Sequence, residues 1–99
     1  MLSIVVNEDK DRLKVTLVGE VDIYTVDMLK DKMDSVDSTE VRDIIFDMEK
    51  LDYIDSTGLG ALIGVKGKYP GSVIKVANMK SNVARLFDIT GLSKIFVIE

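Results

Sequence analysis

The sequence predicts an α/β layer fold in one domain, a mixed sheet of about five strands with three to four helices packed against it. Three observations carry this expectation. Short apolar runs alternate with stripes at helical spacing, in the order β-β-α-β-α-β-α-β. The first two strands adjoin closely enough for an antiparallel hairpin, whereas later strands are separated by helices and so pair in parallel. Finally, a chain of 99 residues can bury one core but not two.

Leu2, Ile4 and Val6 alternate, as do Leu13, Val15 and Leu17, with a polar stretch at 7–12 between them that reads as a hairpin turn. Residues 19–23 break the alternation and lead to Thr25, a candidate N-cap. Val26, Leu29, Met33 and Val36 then form the inward stripe of a first helix, with Asp27, Lys30 and Asp34 available to pair on its outer side. Asp37-Ser38-Thr39-Glu40 is a polar connection. The central strand rises through 41–48, and Ile44, Ile45 and Phe46 read as buried on both faces. Residues 48–54 read as a connection. A second helix begins near Ser56, carries Leu59, Leu62, Ile63 and Lys66 at helical spacing, and stops at Tyr69-Pro70-Gly71. Val73, Ile74, Val76 and Ala77 make the next strand. Ser81 can cap a third helix with the stripe Val83, Leu86 and Phe87, and Gly91 suits a left-handed stop at which Leu92 closes back on Phe87. Residues 95–98 finish as an edge strand.

Composition narrows the function. At 46% hydrophobic and 30% charged, the chain is an ordinary globule rather than a disordered segment. A net charge of −4 without any basic cluster argues against nucleic acid. Histidine and cysteine are absent, which removes the usual zinc ligands, thiol nucleophiles and every imidazole-dependent triad. No apolar run reaches bilayer length and no basic leader precedes residues 2–6, so the expectation is a cytoplasmic protein without a membrane partner. Lack of a long apolar face makes a monomer the default.

Chemistry concentrates at Asp55-Ser56-Thr57-Gly58, where strand hands over to helix at the carboxyl end of a parallel sheet. A hydroxyl there sits beside free backbone N–H groups and the positive end of the helix dipole. Gly58, Gly60, Gly64 and Gly67 follow, each costing a helix roughly 1 kcal/mol relative to alanine. Either the sheet or a neighbouring helix packs on that glycine face, which the spacing alone favours, or another protein does.

Enzyme motifs are approached and missed. A G-x-G-x-x-G fingerprint from Gly58 needs its third glycine one residue earlier than Gly64. The phosphate-cradle loop ending at Gly67-Lys68 has Leu62 where glycine is required. A nucleophile elbow at Ser56 has Ile54 in place of glycine, and no histidine to pair with it. Asp55 as an aspartic-protease residue would require a mostly β chain. A phospho-acceptor role for Asp47, with Glu8, Asp9 or Asp11 binding magnesium, needs a hairpin turn that points to the opposite end of the sheet. A local role, bonding loop amides, suits Asp47 better. No cofactor is expected.

Leu51-Asp52-Tyr53-Ile54 followed by Asp55-Ser56-Thr57-Gly58-Leu59-Gly60 closely resembles the core motif of the STAS domain in bacterial anti-sigma factor antagonists. Gly19-Glu20-Val21-Asp22-Ile23-Tyr24-Thr25 looks like that family's approach to its first helix, and residues 83–92 look like its C-terminal helix and stop. The matches lie in the family's order and span almost the whole chain, implying a STAS domain over 1–99. The resemblance also implies a non-catalytic partner-switching protein. Its unphosphorylated form binds an anti-sigma factor that is also a serine kinase, and this frees the sigma factor. The kinase, using ATP and Mg²⁺, phosphorylates the serine after the motif aspartate, here Ser56, and a metal-dependent phosphoserine phosphatase reverses the step. By the same resemblance Asp22, Asp55, Thr57, Gly58 and Gly60 form the surrounding partner-binding surface. The alternatives are a STAS subunit of another assembly, such as a stress-signalling complex or lipid transport, and a small-ligand sensor using the glycine surface.

Overall fold

A computed structural model describes residues 1–36 and 40–99, so Asp37, Ser38 and Thr39 of the expected polar connection lie outside the described residues. Strands β1 (Leu2–Asp9) and β2 (Arg12–Val21) form the antiparallel hairpin. Its turn is only Lys10 and Asp11, with Lys10 in the left-handed region at φ 57°. Asn7, Glu8 and Asp9 are strand residues opposite Lys14, Leu13 and Arg12, because polar side chains are tolerated at the solvated end of an edge strand.

Next come α1 (Val26–Asp34), β3 (Asp43–Ile54), α2 (Ser56–Lys68), β4 (Val73–Ala77), α3 (Ser81–Thr90) and β5 (Val97–Ile98). The sheet runs β1-β2-β3-β4-β5, with every pair after the hairpin parallel. Strands added in one direction through right-handed crossovers place all three helices on one face. Leu13, Val15, Leu17, Ile44, Phe46, Met48, Ile74 and Val76 share one buried core with Leu29, Met33, Leu62 and Phe87. The opposite face carries no helix. The run 44–46 is therefore buried on one side only: Ile44 and Phe46 are fully buried, whereas Ile45 is half-buried between Lys14 and Lys75 in register.

Residues 48–54 are not a connection but the second half of β3. The pairing steps from Thr16–Asp47 to Val18–Lys50 and from Gly19–Leu51 to Glu20–Tyr53, so β3 carries an extra residue at each step. Each bulge reverses the alternation, and the buried positions become Met48, Leu51 and Ile54 at intervals of three. A strand with that spacing cannot be recognised by a period of two.

In α1 the expected stripe faces the core, but Asp34 pairs with Lys68 at 3.3 Å rather than with Lys30. Lys68 also donates to Met33 O at 2.7 Å, so the end of α2 satisfies an orphan carbonyl at the end of α1. The inward face of α2 is Leu59, Ala61, Leu62 and Val65, and Ile63 is half-exposed instead of packed. Ser81 does not cap α3. It is the first helical residue, preceded by Lys80, whose ammonium bonds the Asp52 carboxylate. Gly91 supplies the left-handed stop at φ 79°, and its N–H donates to Asp88 O at 3.2 Å. Leu92 then opens a single 3-10 turn, Leu92–Lys94, and is buried in the same core as Phe87. Phe96 packs at 6.1 Å from Phe87, leaving only Val97 and Ile98 to pair with β4.

Candidate functional site

Two strand-to-helix transitions meet at the carboxyl end of the sheet. The Asp55 N–H donates to Val21 O at 3.2 Å, which joins the end of β3 to the end of β2. Gly58 packs directly behind that joint. A Cβ built on it would lie 2.6 Å from Ile54 Cγ1 and 2.8 Å from Val21 Cγ1, so only glycine lets α2 come so near without displacing its neighbours.

At the first transition Thr25 occupies the N-cap position of α1, as expected, but its side chain makes no capping hydrogen bond. Asp22 Oδ1 accepts from the Tyr24 N–H at 2.9 Å and the Thr25 N–H at 3.1 Å, and Asp22 O accepts from the Val26 N–H at 2.9 Å. The Thr25 hydroxyl instead accepts from the Asp22 N–H at 3.0 Å and donates to Glu20 O at 2.9 Å. Buried at 8% exposure, it locks the turn from inside. Asp22 instead bonds the amides two and three residues after it, as an Asx turn, so the turn entering α1 is held by its carboxylate.

At the second transition Asp55 is the N-cap. Its Oδ1 accepts from the Gly58 N–H at 3.1 Å and from the Thr57 hydroxyl at 2.5 Å. The Thr57 hydroxyl, and after it the Gly58 N–H, hold the Asp55 carboxyl below the usual carboxylate range against the opposing effect of burial. Ser56 is the first residue of α2, and its side chain is exposed. Among the described residues its hydroxyl has no hydrogen-bond partner.

The expected site residues thus divide by environment. Ser56, Thr57 and Gly60 are exposed, Asp22 and Asp55 are half-buried, and Gly58 is buried. Asp22 and Asp55 directly follow the two strand ends, Val21 and Ile54, that the Asp55 N–H bond to Val21 O joins. Beyond Gly58, the glycine face is not packed from within: a Cβ at Gly60, Gly64 or Gly67 would meet nothing within 4 Å. The simpler expectation, that sheet or helix covers those glycines, is therefore corrected. They lie on the side of α2 away from the core, where local spacing gives no warning.

Asp47 is held locally, accepting from the Glu49 N–H at 3.1 Å and Asn78 Nδ2 at 3.2 Å, with Lys14 3.8 Å away. Among the described residues no group of three His, Cys, Asp or Glu side chains could hold a metal ion, and no helix is long and apolar enough to cross a membrane. Sequence reasoning gave no weight to Ile23 and Tyr24, which are 67% and 90% exposed. The available signal was a pair of large apolar residues inside a turn, where polar ones are usual.

The STAS domain model matches residues 3–99. The anti-sigma-B factor antagonist of Bacillus subtilis is 31% identical over 100 residues, covering 99% of this chain and 91% of the relative. Among solved structures, an anti-sigma factor antagonist from Mycobacterium paratuberculosis superimposes with a TM-score of 0.89 at 21% identity, over 99% of this chain and 85% of that one. The Bacillus cell fate determinant SpoIIAA in its phosphorylated form gives a TM-score of 0.75 at 20% identity, over 98% and 91% of the two chains. With the family model spanning nearly its whole length and a relative above 30% identity, this chain belongs to the STAS-domain anti-sigma factor antagonist family.

Proposed function

We propose that the protein is a non-catalytic, cytoplasmic anti-sigma factor antagonist, monomeric, whose affinity for its partner is set by phosphorylation of Ser56. The unphosphorylated form binds an anti-sigma factor with serine kinase activity and releases the sigma factor. ATP-dependent phosphorylation of Ser56 ends that binding, and a metal-dependent phosphoserine phosphatase restores it. The observation that carries the reading is the Ser56 hydroxyl, exposed and without a hydrogen-bond partner among the described residues at the start of α2, while the adjacent Thr57 hydroxyl is engaged by Asp55. Asp22, Asp55, Thr57, Gly58 and Gly60 then serve as the binding surface, with Gly58 acting from beneath by setting how close α2 lies to the sheet.

Electrostatics supports a switch of affinity rather than of fold. A phosphate adds about −1.5 to −2 charges at neutral pH. Within the molecule it projects into solvent, and the start of α2 offsets roughly 0.3 to 1 kcal/mol of its cost. At a closed interface the same group would be desolvated beside Asp22 and Asp55, a penalty on the order of several kcal/mol unless a cation meets it. That the SpoIIAA fold is known in a phosphorylated form supports tolerance of the modification.

The test is incubation with the cognate anti-sigma factor kinase and ATP, followed by intact-mass measurement. Wild type should gain one phosphate and Ser56→Ala none. Full labelling of the alanine variant would contradict the assignment.

A further inference from the structure

Ile23 and Tyr24 are large, exposed apolar side chains adjacent in one turn. Both project from the turn between β2 and α1, at 67% and 90% exposure, so neither contributes appreciably to the core. Yet the backbone beneath them is fixed: Asp22 Oδ1 accepts from the Tyr24 N–H at 2.9 Å and the Thr25 N–H at 3.1 Å, and the buried Thr25 hydroxyl ties the turn to Glu20 O. Side chains on a preorganised turn need no further backbone ordering on binding, which lowers one of the costs an interface anchor must meet. The turn also adjoins the phosphorylation site, through the Asp55 N–H bond to Val21 O. Asp22 precedes the pair and Asp27 lies in the first turn of α1, while Asp55 is brought to the end of β2 by its N–H bond to Val21 O.

We propose that Ile23 and Tyr24 are the apolar anchor of the interface whose switch is Ser56, received by a protein pocket of apolar floor and a rim of Lys and Arg. This rests on the partner-switching reading above. The two parts divide the work: the anchor supplies affinity in both states, and the phosphate opposes closure of the rim around it. An apolar floor matches the exposed side chains, and a cationic rim matches the flanking carboxylates.

The experiment measures steady-state phosphorylation of wild type, Ile23→Ser, Tyr24→Ala and the control Ile89→Ser by the cognate anti-sigma factor kinase. Ile89 is 72% exposed but lies near the far end of α3. Circular dichroism first checks that all four are folded. The anchor variants should raise the KM for this protein by about tenfold or more with kcat nearly unchanged, the pattern of lost ground-state binding, while the control matches wild type. An unchanged KM in both anchor variants, a loss confined to kcat, or an equal rise in the control would each overturn the anchor. Failure of wild type to be labelled would instead overturn the Ser56 reading, and the anchor with it.

Discussion

Thr25 and Ser56 are both small hydroxyl residues just after an aspartate that bonds backbone amides at the start of a helix, and both lie at the same end of the sheet. Their surroundings separate them. Thr25 is buried and its oxygen serves two backbone groups, whereas Ser56 is exposed and among the described residues serves none. A hydroxyl committed to backbone groups is structural, and one left to solvent is open to chemistry. The lesson is that residue type and position relative to a helix do not identify a modification site until the internal partners are counted.

The contrast can be broken most forcefully at Thr25. Replacing it by valine keeps the volume but leaves the Asp22 N–H and Glu20 carbonyl unpaired in a part-buried turn, so stability in urea should fall by about 1 to 3 kcal/mol. A loss near zero would mean that solvent reaches those groups. Asp55→Ala, which removes the cap on the Gly58 N–H, should cost about 1 kcal/mol. Because the folded carboxyl is held below its unfolded value, its contribution is complete above about pH 4 and disappears as pH falls through the folded pKa. Wild type should therefore lose more stability than Asp55→Ala between neutral pH and strong acid, and parallel acid curves would remove Asp55 from that role.

Smaller effects sharpen the same distinction along α2. Gly64→Ala introduces a Cβ that meets no atom within 4 Å, so the gain in helix propensity should raise stability by about 0.5 to 1 kcal/mol, measured by urea midpoint. A decrease would reveal packing on that face. Ser56→Ala, which breaks no hydrogen bond among the described residues, should shift stability by no more than about 0.5 kcal/mol in either direction.

Much of this arrangement was legible in the sequence, since the order of elements, the stripes of α1 and α3, the Gly91 stop and the helix beginning at Ser56 all follow from periodicity and local chemistry. The second half of β3 was hidden because two bulges turn a strand's spacing into one of three. Ile45 was misread because apolar content cannot tell one covered sheet face from two. Thr25 stands at the N-cap as expected, but that Asp22 rather than Thr25 binds the amides of the turn depends on turn geometry, for both residue types do so readily. The open glycine face required knowing which side of α2 meets the core.

The central claim is that charge on one exposed oxygen changes affinity while leaving the body of the domain in place. The direct measurement is calorimetric titration of the cognate anti-sigma factor with this protein, unmodified and stoichiometrically phosphorylated at Ser56, alongside amide NMR spectra of both forms. Affinity should fall at least a hundredfold, as expected for a desolvation penalty of about 3 kcal/mol or more, with shift changes confined to the ends of β2 and β3 and the first turn of α2. Equal affinities, or shifts spread through the core, would contradict the account.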